Sequence, residues 1–208
     1  MSRIVVSSMV SIDGYTEGSG GDVSKMPMDL AFAEHNADRV RAASGLLFGA
    51  TTYTGMMQYW PHQVDNPDAL PEDRYIAERY DTDLAITVIS DRLTRDDVPV
   101  WGDRTTIVKR VDTADAIAEL RANGDERDVV IFGSRTLWTD LLARGLVDEL
   151  HILVGPAVVA GDRRAFSDLP PMGLTLLGAR TWKDSDTVGL HYEVTNAAGE
   201  HSRGEAYN

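Results

Sequence analysis

Two glycine turns in this chain carry groups that could bind a phosphate. Gly49 is followed by Thr51 and Thr52, and Gly133 is followed by Ser134. Each turn lies between a short apolar run of strand length and a segment with helical spacing. Backbone N–H groups at a helix start attract anions, so both turns are suited to a phosphate. For each turn taken alone, simple chain reversal or helix capping is the favoured explanation, because Ser and Thr are common N-cap residues.

Two carboxylates lie where they could exchange a proton with a ligand. Asp13 follows the apolar run at residues 4–10, and ligands of open α/β sheets bind beyond the carboxyl ends of strands. A simple Asp-Gly turn is the alternative for Asp13. Asp29 lies in the first turn of a predicted helix at 28–43, where a carboxylate normally stabilises the helix dipole. In an apolar pocket its pKa would rise, and it could then donate a proton.

A hydroxyl and a cation follow a third strand-like run. Ser90 and Arg92 come directly after residues 84–89 and could reach a ligand at the same sheet edge, although a solvated surface Arg is the alternative. The five histidines show no metal-ligand spacing, and cysteine is absent. The sequence therefore indicates no metal site and no thiolate chemistry. His151, inside a predicted strand, is expected to be a core or edge residue rather than catalytic.

Strands and helices alternate, which predicts a single α/β domain over residues 1–208 with a mixed, mostly parallel sheet flanked by helices. The predicted strands are 4–10, 45–48, 84–89, 105–108, 129–132 and 147–154. A C-terminal antiparallel hairpin is predicted from 173–181 and 188–194, around a turn at 183–186. The predicted helices are 28–43, 51–59, 72–80, one from Asp112 to Gly124, and one from an N-cap at Ser134 to Gly145, with a loop at 60–71.

Composition argues against several classes of partner. The 208 residues carry a net charge of −13, whereas nucleic acids and anionic membranes bind clustered Lys and Arg. The sequence lacks an apolar run of about 18 residues that would predict a membrane helix. The first apolar run is too short for a signal peptide. We expect a cytoplasmic enzyme or binding protein for a small molecule, with neither nucleic acid nor membrane as partner.

Four segments, in this order, resemble the dihydrofolate reductase-like superfamily. The closer similarity is to the C-terminal reductase domain of the riboflavin-biosynthesis deaminase–reductase, the RibD C-terminal domain. The segments are S-x-D-G at 11–14, the glycine turn with Thr-Tyr at 47–53, the Gly-Ser turn and helix at 131–137, and LL-x-x-GLVDEL with its continuation at 141–166. The resemblance implies a sheet that binds NADPH across its strand ends, and a homodimer.

The resemblance also implies roles for individual residues. The phosphates of the cofactor would meet Gly49, Thr51 and Thr52, and the adenosine 2′-phosphate would lie near Ser90 and Arg92. The pyrophosphate region would comprise Phe132, Gly133, Ser134, Arg135, Thr136 and Leu137.

Two positions depart from the pattern of the family. Ala50 stands where the family has an Arg, which leaves NADH as an alternative to NADPH unless Arg92 or Lys109 supplies the missing phosphate contact. Asp162 stands where the family often has Gly, so the loop at 160–165 is expected to differ in shape. Its carboxylate would also bring negative charge near the phosphates.

Residues 28–32 resemble the substrate helix of dihydrofolate reductase, whose acid protonates the pterin. Asp29 is therefore the first candidate for a catalytic carboxylate, and Asp13 is the second. The favoured function is an NAD(P)H-dependent oxidoreductase that transfers hydride to a C=N or C=O of a small heterocycle. The alternatives are 5-amino-6-(5-phosphoribosylamino)uracil reductase, dihydrofolate reductase proper, and a non-catalytic nucleotide-binding protein on the same fold.

Overall fold

The computed structural model describes residues 1–123 and 125–195, and its eight strands form one sheet. The strands are β1 (Ile4–Ser11), β2 (Ala43–Gly49), β3 (Ala85–Ile89), β4 (Thr105–Val108), β5 (Asp128–Phe132), β6 (Glu149–Gly155), β7 (Gly173–Trp182) and β8 (Ser185–Thr195). Their order across the sheet is β4-β3-β2-β5-β1-β6-β8-β7. Strands β1 to β6 pair in parallel, whereas β8 runs antiparallel to both β6 and β7. The predicted fold class is confirmed.

Five helices connect the parallel strands in the described part of the chain. They are α1 (Leu30–Ala42), α2 (Ala50–Tyr59), α3 (Pro71–Thr82), α4 (Thr113–Ala122) and α5 (Arg135–Ala143). Helix α1 begins later than predicted because Asp29 is its N-cap, and the carboxylate accepts a hydrogen bond from the Phe32 N–H. The predicted loop at 60–71 opens with a 3₁₀ turn and closes where Pro71 starts α3, since Pro suits the first helical position. Gly124, the predicted end of α4, lies outside the described residues.

Apolar layers cover both faces of the sheet, and β2 shows how one strand serves both layers. Phe48 is fully buried on one face with Tyr53 of α2 and Tyr80 of α3. Leu47 is fully buried in the opposite layer with Trp138 of α5. Neighbouring residues of a strand point to opposite faces, so a continuously apolar strand must be covered on both sides. The helices are therefore held on either side of the strand ends that carry the glycine turns.

The C-terminal hairpin has a tighter turn than predicted. Its strands continue to Trp182 and resume at Ser185, and these two residues are paired. Ser185 therefore belongs to β8, and its hydroxyl donates a hydrogen bond of 2.5 Å to the Asp29 carboxylate. This contact joins the hairpin to the start of α1, although the polar run at 183–186 had suggested a turn alone.

None of the helices in the described residues is long and apolar enough to cross a membrane.

Candidate functional site

The two glycine turns lie side by side because β2 and β5 are parallel neighbours in the sheet. The backbone N–H of Gly49 donates to the Ser134 hydroxyl at 3.1 Å. In return, the backbone N–H of Ser134 donates to the Thr52 hydroxyl, also at 3.1 Å. These reciprocal hydrogen bonds fix the starts of α2 and α5 relative to each other.

Ser134 occupies the predicted N-cap position of α5 but does not cap the helix with its side chain. Its φ of 47° is left-handed, and its hydroxyl is used by Gly49 instead. The prediction of a capping hydroxyl was therefore wrong, because the bond across to the neighbouring turn replaces the local one. Helix α2 also starts without a side-chain cap. Two adjacent helix starts thus keep first-turn N–H groups for a bound anion.

Gly133 is required by the close approach of the two turns. Its φ is 56°, and a Cβ at this position would lie 3.2 Å from the Thr52 methyl group. A side chain there would both strain the backbone and push Thr52 away from Ser134. The glycine therefore preserves the contact between the turns.

A cleft of about 580 Å³ lies over the two helix starts. Nine of the residues predicted to bind cofactor line it: Gly49, Ala50, Thr51, Thr52, Arg92, Ser134, Arg135, Thr136 and Leu137. Phe132 and Gly133 line the cavity that adjoins this cleft. Ser90 is not among the described residues that line either space. It is buried, and its hydroxyl accepts the N–H groups of Arg92 and Leu93, so it shapes the turn that carries Arg92.

Four arginines line the cleft, although the chain as a whole is acidic: Arg92, Arg110, Arg135 and Arg144. Arg92 follows β3 and Arg110 follows β4, and these strands are parallel neighbours. Neither Arg110 nor Arg144 lies in a segment that the sequence predicted to bind cofactor, but Arg110 shares with Arg92 its place after a strand end. Lys109, considered as a substitute for the missing family Arg, donates its ammonium to the Asp91 carbonyl oxygen at 3.0 Å. Lys109 is not among the described residues that line the cleft.

An apolar cavity of about 320 Å³ adjoins the cleft. The two spaces share Glu17, Thr52, Ser134 and Arg135, so they form one continuous site. Four aromatic and four methionine side chains line the cavity: Phe32, Trp60, Tyr80, Phe132, Met9, Met26, Met28 and Met56. Trp60, which sequence reasoning assigned only to a loop, stacks on Tyr80 with ring centroids 5.6 Å apart. The arrangement can hold a flat ring beside an anion-binding cleft.

The two predicted catalytic carboxylates make contacts within the fold. Asp29 accepts from the Phe32 N–H and from the Ser185 hydroxyl, one through each oxygen. Neither Asp29 nor Asp13 is among the described residues that line the cavity or the cleft. Their catalytic roles stay predictions. Glu17 is the acidic residue that lines both spaces among the described residues, and no sequence motif had indicated it.

Asp13 joins the end of β1 to the loop after β6. Its carboxylate accepts the N–H groups of Val159 at 3.2 Å and Ala160 at 2.9 Å. A hydrogen bond from Ser11 and these backbone bonds hold the pKa of Asp13 below its ordinary value. The ionised form of Asp13 is therefore the one that stabilises this junction.

The segment 12–29, between β1 and α1, provides one wall of the cavity through Thr16, Glu17, Val23, Met26 and Met28. Asp162 holds this segment by accepting from the Ser19 hydroxyl and the Gly20 N–H, both at 2.8 Å. A Cβ on Gly161 would lie 2.1 Å from the Glu17 carbonyl oxygen, so the two loops touch. Asp162 is not among the described residues that line the cleft, and the expectation that its charge lies near the phosphates stays a prediction.

A separate cluster joins His151 of β6 and His191 of β8 to Glu149. Potential metal-ligating atoms of these three residues lie within 4.8 Å of one another, a grouping that sequence spacing did not reveal. Arg3 donates to one Glu149 oxygen, and Arg39 lies 3.1 Å from the His151 Nε2. Burial and the Arg39 charge lower the pKa of His151 to about 2, so it is a neutral acceptor. His151 is a buried strand residue, as predicted.

The sheet order and the paired glycine turns define an α/β domain of the dihydrofolate reductase-like type. The dihydrofolate reductase of Enterococcus faecalis, solved in complex with NADP(H), matches the fold with a TM-score of 0.56 at 14% identity. The match covers 93% of this chain and 97% of that one. The predicted superfamily resemblance is therefore confirmed at the level of the fold.

The chain belongs to the RibD C-terminal domain family, whose model matches residues 2–188. A putative riboflavin biosynthesis protein from Shewanella sp. PV-4 has a similar structure, with a TM-score of 0.67 at 20% identity over 93% of this chain and 99% of that one. The uncharacterized protein YyaP of Bacillus subtilis (strain 168) is 23% identical over 201 residues, which cover 91% of this chain and 94% of the relative. The family suggested by the four sequence segments is thus the family to which the chain belongs.

Proposed function

We propose that the chain is an NADPH-dependent reductase that transfers hydride to a C=N or C=O of a small heterocycle. The supporting observation is the continuity of two unlike spaces. One is a cleft with two uncapped helix starts and four arginines, and the other is an apolar cavity with aromatic walls. A dinucleotide with a charged and a flat end requires this combination of surfaces.

The donor groups of the cleft fit a phosphorylated cofactor. The N–H groups at the starts of α2 and α5 suit a pyrophosphate, and guanidinium groups bind a phosphate in a bidentate manner. Arg92 and Arg110 are the residues that would hold a 2′-phosphate. They would replace the family Arg, whose position is occupied by Ala50 in this chain. This assignment favours NADPH as the cofactor. NADH is the alternative, and the Kd values of the two cofactors distinguish them. When bound, the reduced nicotinamide supplies the hydride.

The residues of the chain then bind and orient the substrate, and they exclude water from it. The aromatic and methionine walls remove water from around a bound ring, which strengthens polar contacts inside the cavity. Glu17, on the boundary of the two spaces, is the carboxylate that we propose passes a proton from solvent to the reduced product. In this proposal Asp29 and Asp13 stabilise the fold through their hydrogen bonds and take no part in proton transfer.

Titration of the purified protein with NADPH and with NADH tests the proposal. We expect saturable binding of both cofactors, with a lower Kd for NADPH. Gly133→Ala should weaken this binding, since a Cβ would press on Thr52, whereas Gly178→Ala is a matched control whose Cβ would meet nothing within 4 Å. Absence of saturable binding at millimolar cofactor would contradict the proposal.

Turnover distinguishes an enzyme from a nucleotide-binding protein. Oxidation of NADPH is measured with a panel of cyclic imines and cyclic ketones. Cofactor binding without oxidation by any member of the panel would favour the non-catalytic alternative. The homodimer and the cytoplasmic location expected from the sequence stay predictions, and light scattering of the purified protein tests the first of them.

A further inference from the structure

The apolar cavity has no charged wall beyond its boundary with the cleft. Among its described lining residues only Glu17 and Arg135 are charged, and both also line the cleft. The rest of the lining is aromatic, aliphatic, methionine or neutral polar. Arg135 is therefore the single cation among the described residues that line the cavity, and it lies at the boundary with the cleft.

Away from this boundary, an anion in the cavity would lose its hydration without gaining a counter-ion among the described lining residues. Burial of an unpaired charge is among the most costly events in a protein interior. The arginines that could bind a phosphate line the cleft, where the proposed cofactor would engage them.

The walls of the cavity favour a flat ring with a polar edge. Phe32, Trp60 and Phe132 contribute aromatic surface to the lining, and methionine thioethers adapt to ring edges. Six Ser, Thr and Asn residues also line the cavity. Among them, the Ser7 hydroxyl lies 3.4 Å from the Asn36 Oδ1, which leaves the Asn36 amide N–H groups as donors. A carboxamide and a hydroxyl together match the donor and acceptor of a cyclic amide.

We infer that the substrate is a flat, uncharged heterocycle with an amide-like edge and with neither a phosphate nor a carboxylate arm. This inference rests on the proposed function and narrows it. It disfavours 5-amino-6-(5-phosphoribosylamino)uracil, one of the alternatives raised by the sequence, because the described lining offers its phosphate no cation away from the boundary with the cleft.

Equilibrium binding of a matched set of probes to the protein tests the inference. The probes are lumazine, 6-carboxylumazine, and 5-amino-6-(5-phosphoribosylamino)uracil, each titrated with and without saturating NADPH. We expect lumazine to bind at least tenfold more tightly than either anionic compound. The inference is overturned if an anionic probe binds as tightly as lumazine, or if lumazine does not bind.

A variant that adds the missing cation gives an independent measurement. Met28 lines the cavity but is 52% exposed, so Met28→Lys should fold. We expect this variant to bind 6-carboxylumazine at least tenfold more tightly than the parent protein does. Val111→Lys, at a residue that is 86% exposed and not among the described cavity residues, is the control and should leave the affinity unchanged. No gain in Met28→Lys would count against the inference.

The titration with NADPH tests the proposed function, and the titrations with the probes test this inference. Failure of NADPH to bind would contradict the proposed reductase, while the order of probe affinities on the free protein would still decide the charge of the preferred ligand. Normal NADPH binding with tighter binding of the phosphorylated uracil would overturn only the inference.

Discussion

The backbone N–H of Gly49 donates to the hydroxyl of Ser134 at 3.1 Å, across 85 positions of sequence. This hydrogen bond joins the ends of two neighbouring parallel strands and holds the starts of two helices together. The Ser134 hydroxyl consequently does not cap its own helix, whose first N–H groups stay available. One side chain thus both assembles the cleft and leaves its anion-binding groups open.

Ser134→Ala should loosen the cleft. The Gly49 N–H would lose its acceptor in a partly buried position, and an unsatisfied donor costs about 1 to 3 kcal/mol. We expect the free energy of unfolding to fall by about 1 kcal/mol and the Kd for NADPH to rise several-fold. Urea unfolding and cofactor titration measure the two effects.

Ser167→Ala is the matched control for this change. The Ser167 hydroxyl also donates a hydrogen bond at 3.1 Å, to the Arg164 carbonyl oxygen, but it is exposed and lies outside the described cleft lining. It should change neither quantity appreciably. Equal cofactor affinity in Ser134→Ala and Ser167→Ala would show that the joined turns do not serve the cofactor.

Arg92→Gln and Arg110→Gln should reduce the preference for NADPH over NADH. Each substitution removes a guanidinium group that lines the cleft beside the ends of β3 and β4. Loss of a charged hydrogen-bonding partner costs about 1.5 to 3 kcal/mol, which corresponds to roughly tenfold or more in Kd. We expect this weakening for NADPH and a much smaller one for NADH.

Arg163→Gln serves as the reference for the arginine variants. Arg163 has a 65% exposed side chain, lies 4.0 Å from Asp168, and is not among the described cleft residues. If its affinity for NADPH changes as much as that of Arg92→Gln, the effect is one of net charge alone. Equal losses for NADPH and NADH in the cleft variants would refute the assignment of a 2′-phosphate to these arginines.

Asp29 and Glu17 should respond differently to substitution. Asp29→Ala removes the N-cap of α1 and the partner of Ser185, so stability should fall by about 1 kcal/mol. Asn is also a good N-cap, and Asp29→Asn should retain most of the stability and the turnover. Glu17→Gln should lower turnover by about 10²-fold or more if the carboxylate passes the proton.

The ratio of kcat values in the two isosteric variants decides between these carboxylates. A large loss of turnover in Asp29→Asn, with Glu17→Gln close to the parent protein, would restore Asp29 as the catalytic acid predicted from the sequence. Thermal unfolding of both variants serves as the control for folding.

Stability should decrease between about pH 7 and pH 4 because of two buried histidines, whose unfolded pKa values are near 6.5. Burial and the Arg39 charge lower the pKa of His35 to about 4 and that of His151 to about 2. Since both folded pKa values lie below the unfolded value, the unfolded chain binds protons first. The contribution of the two histidines to the free energy of unfolding is complete above pH 6.5. As the pH falls below this value, each histidine lowers the free energy of unfolding by up to about 1.4 kcal/mol per pH unit.

Urea unfolding across this pH range measures the slope. His35→Phe should flatten it, because the ring then has no proton to gain. His62, which is exposed, provides the control substitution His62→Phe, and its slope should match that of the parent protein. An unchanged slope in His35→Phe would show that His35 is not one of the responsible groups.

Local patterns predicted the elements well and the contacts between side chains poorly. All six parallel strands were located, and for the central ones the reason is that burial on both faces of a strand produces a largely apolar segment. The same patterns misplaced Ser185 in a turn, although its hydroxyl bonds Asp29 across 156 positions. They also gave no indication that the Asp162 carboxylate binds Ser19 and Gly20, in the segment that lines one side of the cavity.

The sequence by itself determined the alternation of strands and helices and the glycine turns at the strand ends, and its four ordered segments indicated the family. These features depend on residues close together in the chain, because backbone preferences and the spacing of apolar residues determine the local secondary structure. The tertiary structure alone decided that Ser134 bonds Gly49, that Arg110 joins Arg92 in the cleft, and that Glu17 borders both spaces. Those relationships depend on strand order and loop packing. These bring together residues that are far apart in the chain, and local sequence patterns do not predict such contacts.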